Sequence, residues 1–276
     1  MIRYVDADFT SQGSRKVWSA GTPHATSAQL SWYSDLDAAI ADAVAGDVLK
    51  VASGTYQLPP SIDTSTFIAG LSGTILSAPS SVDVNDPLDG YCVVQDGVVV
   101  RLKSMSVTSP VCAIGSIVLD NISAAVSGKI LDTGAIIAIG SINHSIDRDQ
   151  EGSYERYDSY FDEGRWPSQF PVAQYRNSAV LEAPAKYRTE SGSQKVRWVA
   201  IADFRYLIKD GIGSEINAGS VNMGLQGSTF FTKPGLPVHQ DMRISTKGRT
   251  YQITAISRPS GPGQDLRLTV TEKTGM

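Results

Sequence analysis

At 276 residues, with 41% hydrophobic and 19% charged side chains, the chain is long enough for two domains and can bury cores, which excludes an intrinsically disordered protein. No apolar run reaches the ~18 residues of a membrane-spanning helix, and the first residues lack the pattern of a secretory signal, so we expect a protein that stays in the cytoplasm unless a larger assembly carries it out. The net charge of −4 is uneven: residues 1–146 carry −6, residues 147–170 carry −4 and residues 171–276 carry +6, which indicates separate modules with different neighbours.

The first half of the chain contains one segment whose pattern predicts a helix, residues 34–46. Ser34 or Asp35 can cap its N-terminus, and Gly46 stands where a left-handed residue commonly ends a helix. An apolar stripe recurs every four residues, formed by Leu36, Ile40 and Val44. A strand is predicted to follow directly, from Val48 onwards.

The run from Leu36 to Tyr56, with its helix, Gly-Asp pair and strand, resembles the opening of right-handed parallel β-helices of the pectate-lyase type. The resemblance implies that the helix plugs one end of a solenoid. Repeats of the form apolar-x-small/polar-apolar support it, because they recur at a period near one coil and such units bury a core only by stacking. The repeats are Leu102–Met105, Leu119–Ile122 and Ile139–Ile142. We therefore predict a short β-helix over residues 1–146, with a β-sandwich of short strands as the alternative.

Cys92 and Cys112 lie about one predicted coil apart, which places them in the interior as stacked free thiols in a reducing compartment, with a disulfide as the alternative. Polysaccharide cleavage would need converging carboxylates. The available acids are Asp83, Asp86, Asp89, Asp96, Asp120 and Asp132. The loop 82–90 is interpreted as a solvated turn rather than a calcium loop, Asp120 and Asn121 as residues that bond the turns of the coil, and His144 as a residue without a partner at a useful spacing. We therefore expect no enzyme, no metal and no cofactor.

Residues 147–175 combine many charges with large aromatic side chains and are predicted to be a linker. Two prolines, Pro167 and Pro171, favour extended chain in its second half. The near-helical spacing of the first tyrosines suggests a short helical turn. The segment is either a strap that packs the two modules together or a contact onto a neighbouring subunit, since aromatic side chains dominate interface energetics. The interface candidates are Tyr154, Tyr157, Tyr160, Phe161, Trp166 and Phe170.

From residue 176 to residue 276, short β-rich segments alternate with turns and predict a small antiparallel β-barrel or sandwich. The last strand alternates cleanly, with Leu266, Leu268 and Val270 on one face and Arg267, Thr269 and Thr271 on the other. A tight glycine turn at residues 246–249 joins two of the preceding strands.

The segment Met242–Ile253, with its Arg-Ile, glycine turn and Tyr-x-Ile, is followed by the alternating strand Leu266–Glu272, and together they resemble the head-closure family of tailed phages, also called head-tail joining or stopper proteins. Trp198-x-Ala-Ile is similar as well. The resemblance covers residues 175–276, and the chain differs from the family in having a whole further module before them. It implies a homo-oligomeric ring beneath the portal and adaptor proteins, which retains the packaged DNA and offers a surface for tail proteins.

Residues 210–227 form an unusually long, glycine-rich connector for a compact domain. It is interpreted as a gate into the DNA channel, as an arm between subunits or as a plain flexible loop. The candidate residues in it are Asp210, Glu215, Asn217, Asn222, Met223 and Gln226. The excess of basic residues in this module, with Arg197, Arg205, Arg243 and Arg249 as candidates, suits either DNA phosphates or an acidic ring neighbour.

We therefore expect a mainly β protein of the phage neck, located in the virion and without contact to a membrane. Its barrel makes the connector ring, and its β-helix is a decoration or docking platform. The main alternative is a tail-associated carbohydrate-binding or depolymerising protein that uses the barrel for attachment. A non-viral β-helix adhesin comes third.

Overall fold

The computed structural model describes residues 2–7, 30–79, 86–123, 126–140, 144–149, 151–157, 174–189, 191–210, 227–233, 235–258 and 265–273. One short helix, α1 (Leu36–Ala41), accompanies the strands. The strands of the first part are β1 (Ile2–Val5), β2 (Leu30–Tyr33), β3 (Asp47–Val51), β4 (Gly54–Gln57), β5 (Ser61–Ile62), β6 (Thr66–Gly70), β7 (Thr74–Ser77), β8 (Cys92–Val94), β9 (Val99–Lys103), β10 (Ser106–Val107), β11 (Val111–Ala113), β12 (Ser116–Asp120), β13 (Val126–Ile130), β14 (Ala135–Ile139), β15 (His144–Arg148) and β16 (Ser153–Tyr157). The later strands are β17 (Asn177–Arg188), β18 (Gln194–Asp210), β19 (Gly227–Thr232), β20 (Arg243–Thr246), β21 (Arg249–Ser257) and β22 (Leu266–Lys273).

Two compact units make up the chain, one of residues Met1–Tyr157 with Ala185–Val196 and the other of residues Asp158–Pro184 with Arg197–Met276. In the first unit, every strand pairing described is parallel and the strands fall into three sheets, which is the arrangement of a β-solenoid of about five turns over residues 47–157. The largest sheet has the order β16-β14-β12-β9-β6-β3-β1-β2. The predicted β-helix is confirmed as a solenoid, and the sandwich alternative is wrong because a sandwich is built from antiparallel pairs.

The core of the solenoid consists of side chains that stack in register from coil to coil. Ile117, for example, pairs with Val100 in the coil before and with Ile136 in the coil after, and all three are buried. Inward-facing apolar side chains of successive coils join in one continuous buried cluster. Each coil therefore depends on its neighbours for burial, as in other repeat proteins.

The helix is present but shorter than predicted. Asp35 caps its N-terminus by accepting a hydrogen bond from the Ala38 amide at 2.8 Å, and Leu36 and Ile40 are buried as expected. Val44 is 60% exposed, so the predicted third position of the apolar stripe is wrong. The reason is Asp47, whose side chain and backbone both bond to Val44 and close a turn where the helix would continue.

Three successive coils leave the large sheet through a residue with positive φ. Ser104 (φ 57°), Asn121 (φ 54°) and Gly140 (φ 94°) take this position in three successive coils. The third predicted repeat is therefore shifted by one residue, because Ile139 pairs with Asp120 and not with Leu119. The inward residue that pairs with Leu119 is Ala138.

The two cysteines are free and buried, but the prediction that they stack in the interior is wrong. Val111 pairs with Cys92, so Cys112 is one residue out of register and points to the opposite face of its sheet. Burial raises the pKa of Cys92 to about 12, which leaves this thiol protonated and unreactive at neutral pH.

The solenoid extends through residues that the sequence suggested as a helical turn. Tyr154 and Tyr157 belong to strand β16, which pairs with β14. The predicted helical turn is wrong at these two residues, because the apolar strand β14 offers a parallel partner that satisfies the backbone of the next coil.

In the second part of the chain, six antiparallel strands close into a barrel with the order β17-β18-β19-β22-β21-β20. β20 pairs back with β17 through Leu181 and Ile244, which closes the ring of strands. The interior is filled by aromatic side chains: the ring of Phe230 stacks on Tyr206 with centroids 4.3 Å apart and meets Tyr251 edge-on at 5.1 Å. The predicted small antiparallel barrel is confirmed.

A buried ion pair at the first coils makes solenoid stability sensitive to acid. Arg3 Nε donates to Asp47 Oδ2 at 2.8 Å. Burial alone would raise the pKa of Asp47. The hydrogen bonds that the carboxylate accepts, among them those from Arg3 and the Val44 amide, have the larger effect and lower the pKa to about 2. The carboxylate therefore contributes stability that is complete above its unfolded pKa of ~3.9 and is lost as the pH falls through about 2.

We expect Asp47→Asn to destabilise the solenoid by about 3 kcal/mol at neutral pH, because it leaves Arg3 without its charged partner. Between neutral pH and pH ~2 the free energy of unfolding of the wild type should fall by about 2 kcal/mol more than that of the variant, so the difference in stability between the two proteins narrows. Denaturant unfolding at a series of pH values measures the difference at neutral pH and its change with pH. Asp63→Asn, at an exposed carboxyl, is the control and should follow the wild type at every pH. A gap that stays constant with pH would contradict the assignment to Asp47.

Candidate functional site

Two of the four predicted basic residues form ion pairs with carboxylates in the barrel wall. Arg243 Nε donates to Glu182 Oε2 at 2.6 Å, and its guanidinium lies 4.3 Å from the ring centroid of Trp198. Arg249 pairs with Glu272 at 3.3 Å. Because each arginine has a carboxylate on a neighbouring strand, both contribute to cross-strand pairing.

The other two predicted basic residues, Arg197 and Arg205, lie on strand β18. Arg197 is half-buried and Arg205 is exposed. Their separation along the extended strand is ~26 Å at the usual rise per residue. The four predicted residues are therefore not one patch.

Two residues outside the predicted set join Arg205 at one end of the barrel. Lys233 directly follows the last residue of β19, and Arg267 lies at the start of β22; both are exposed. The strand pairings bring them together, because Thr232 pairs with Tyr206 on one side and with Leu266 on the other. The alternation of β22 already placed Arg267 on the outer face, but only the register of the barrel shows its neighbours.

The guanidinium of Arg267 lies over the ring of Phe231, 5.5 Å from its centroid. Phe231 is on the outer side of its strand yet is only 8% exposed. The stacking holds the arginine side chain against the surface and favours one orientation of its charge.

The long connector predicted as a gate or arm starts and ends on paired strands. Asp210 closes β18 and pairs with Ser228 near the start of β19. This end of the barrel is opposite to the one that carries Arg267, because Gly227 pairs with Thr271 at the far end of β22. Of the predicted loop residues, Glu215, Asn217, Asn222, Met223 and Gln226 lie outside the described residues.

Of the six predicted interface residues, two lie within the described residues and four lie outside them. Tyr154 is partly buried against the core of the solenoid, and burial raises the pKa of its phenol. Tyr157 pairs with Ile139 and is 6% exposed. Tyr160, Phe161, Trp166 and Phe170 lie outside the described residues.

The acids of the solenoid are tied to local structure. Asp120 pairs with Lys103 of the preceding coil at 2.9 Å, and Asp86 accepts a hydrogen bond from the Leu88 amide at 2.9 Å. Asp132 stands in a turn with φ 51°. Asp83 is outside the described residues, and within those residues no group of three or more histidine, cysteine or acidic side chains could hold a metal ion.

An open groove of about 500 Å³ runs along the turns of the solenoid. Its lining consists of hydroxyl, amide and small apolar side chains, and no carboxylate belongs to it: Ser72, Gly73, Thr74, Ile75, Ser104, Met105, Ser106, Asn121 and Ser123. This lining can donate hydrogen bonds but does not supply the paired carboxylates of glycoside hydrolysis.

Comparison with known proteins relates the barrel to a protein family. Residues 170–273 match the family model described as phage head completion protein. This match confirms the resemblance to head-closure proteins, and with it a structural role at the head-tail junction and a location in the virion. No curated protein matches the chain.

A solved structure, the virion of a native gene transfer agent particle, contains a similar chain with 18% sequence identity and a TM-score of 0.28. The similarity covers 35% of this chain and 92% of that chain. In the described residues no helix is long and apolar enough to cross a membrane.

Proposed function

We propose that this protein is a connector subunit of the phage neck. Several copies form a ring that retains the packaged DNA and provides the surface on which the tail docks. The family match over residues 170–273 supports a head-tail structural role. The family match does not extend to the ring, the DNA channel and the docking partners, and these are the parts that we propose.

The family match carries the proposal, and the filled interior of the barrel decides how a DNA channel could be built. Phe230 is fully buried between Tyr206 and Tyr251, so a single barrel has no lumen. The major groove of B-DNA alone is ~12 Å wide, and the duplex cannot pass through such a core. A DNA channel must therefore be enclosed by several barrels, and closed cyclic symmetry is the usual way in which identical subunits surround an axis.

The solenoid is proposed to be a decoration or docking platform of this ring. It has its own continuous core, and residues 1–146 carry a net charge of −6, in contrast to the net +6 of residues 171–276. A separately packed, acidic module can present a surface to other neck or tail proteins without taking part in the channel.

The connector that follows Asp210 is proposed to be an arm to the neighbouring subunit or a gate of the channel. Its strands β18 and β19 are paired up to Asp210 and Ser228, so the connector starts from a fixed hairpin.

An early stop codon in the gene tests the proposal, with the particles examined by electron microscopy. We expect heads that lack tails and have lost DNA, beside free tails. A matched silent change at the same codon should give normal particles. Complete tailed particles that fail to adsorb would contradict the connector function and would favour a carbohydrate-binding function of the solenoid.

A further inference from the structure

Three cations form a compact cluster on the outer surface of the barrel. We call Arg205, Lys233 and Arg267 the basic end. They come from β18, from the residue after β19 and from β22, and these three strands are consecutive in the barrel. Neighbouring strands are ~4.8 Å apart, so the backbones of the three residues span roughly 10 Å across the sheet. Along the strands, Arg267 is level with Phe231, two residues from Lys233.

Asp203, two residues before Arg205 on β18, is an exposed carboxylate beside the basic end, so the three cations keep a net positive charge within the described part of the chain. No carboxylate there pairs with any of the three, whereas Arg243 and Arg249 each hold a glutamate. All three side chains are exposed. A group of neighbouring like charges repels itself, and a bound anion relieves this repulsion.

The surface around the basic end suits phosphates better than it suits a protein. Exposed hydroxyl side chains, Thr269 and Ser257, lie on the same outer face, and hydroxyls are common donors to phosphate oxygens. Interface cores between proteins are enriched in aromatic and other apolar side chains. None of the large exposed hydrophobic residues of the described chain belongs to this face; they are Ile2, Val44, Leu71, Ile75 and Val196.

We propose that the basic end binds the phosphate backbone of duplex DNA. This inference rests on the proposed connector function and assigns the side of the barrel that faces the packaged DNA. Arg267, held over Phe231, supplies an oriented guanidinium, and Arg205 and Lys233 extend the positive charge across two further strands. The contact reads no base sequence, which suits a channel through which DNA of any sequence passes.

Binding of this kind has a defined dependence on salt. Each phosphate that a cation neutralises contributes about 0.9 to the slope of log affinity against log salt, so three contacts per subunit predict a slope of about −2.7. A ring multiplies the number of contacts and makes the slope steeper.

The test uses the full chain and a fluorescent duplex of about 30 base pairs, with anisotropy measured from about 50 to 200 mM salt. The variant carries Arg205→Glu, Lys233→Glu and Arg267→Glu. The control carries Lys195→Glu, Lys247→Glu and Lys273→Glu, which are exposed and make the same change in total charge away from the basic end. We expect the wild type to bind with the predicted slope, and the variant to lose about tenfold or more in affinity. The control should lose much less.

Two outcomes overturn the inference. One is a wild type without salt-dependent DNA binding, and the other is an equal loss in the variant and the control. If the variant keeps DNA binding but no longer joins tails to heads, the inference is also overturned, and the basic end serves an acidic protein neighbour instead.

Experiments in the phage distinguish a failure of the proposed connector function from a failure of the proposed DNA contact. In the phage, the basic-end variant should still assemble necks and join tails while its heads lose DNA. A protein without any role in the neck would show normal tailed particles for both the variant and the stop codon. Thermal unfolding of each purified protein confirms that exposed substitutions leave the barrel folded.

Discussion

Replacing Gly134 with alanine is expected to destabilise the solenoid by about 3 kcal/mol or to prevent its folding. A Cβ at this position would lie 2.0 Å from the carbonyl oxygen of Ala113 in the preceding coil and 2.9 Å from that of Leu131. Both neighbours are backbone atoms, so relief requires two stacked coils to separate. Because each coil is stabilised only by its neighbours, a local separation exposes core on both sides.

Gly97→Ala is the matched control for this substitution. Gly97 lies in a turn of the same solenoid, and a Cβ there meets nothing within 4 Å, although its φ of 75° is unfavourable for alanine. We expect a loss of about 1 kcal/mol from the backbone conformation alone. Denaturant unfolding monitored by far-ultraviolet circular dichroism compares the two. Equal losses would show that the coils at Gly134 separate without cost and that their close approach is unimportant.

The solenoid illustrates which features of a sequence predict a repeat register and which do not. The apolar pairs at Leu102 and Leu119 mark the same position in two coils, and the structure pairs them. The next repeat could not be placed, because all five residues of β14 are buried, including Ile137 and Ile139 on the outer side. When both faces of a strand are apolar, hydrophobic pattern no longer distinguishes inside from outside, and a shift by one residue goes unnoticed.

The same limit explains why the stacking of the two cysteines was predicted wrongly. The distance in sequence from Cys92 to Cys112 is close to one coil, but the residue that pairs with Cys92 in the next coil is Val111, directly before Cys112. A shift by a single position reverses the direction of a side chain in a strand. A disulfide or a stacked pair therefore requires the register itself and not an approximate period.

In the barrel, the alternation of β22 was sufficient to predict its inner and outer faces. The cluster on the outer face was not predictable, because Arg205, Lys233 and Arg267 are far apart in the chain and meet only through the order β18-β19-β22. The neutralisation of Arg243 by Glu182 has the same origin, since the two partners are distant in sequence and lie on different strands. Composition predicted the net positive charge of the module. The order of the strands decides which of the positive side chains pair with carboxylates and which stay exposed as a cluster.

Replacing Phe230 with alanine is expected to cost the barrel about 3–5 kcal/mol. The side chain is fully buried, and its removal leaves a cavity between Tyr206 and Tyr251 that the closed ring of strands can fill only in part. Phe230→Leu should lose less, because it refills part of the volume. The loss is measured by denaturant unfolding, with near-ultraviolet circular dichroism to report the packing of the aromatic rings.

Phe67→Ala is the control for the other unit. Phe67 is a half-buried residue of the solenoid strand β6, and its loss should leave the near-ultraviolet signal of the barrel tyrosines unchanged. In the phage, Phe230→Ala should reproduce the stop-codon particles at elevated temperature, because a barrel that opens cannot hold its place in a ring. A loss below about 1 kcal/mol would show that the barrel interior is loosely packed. A six-stranded barrel would still be too narrow for a duplex, so this result would bear on the stability of the barrel and not on the path of the DNA.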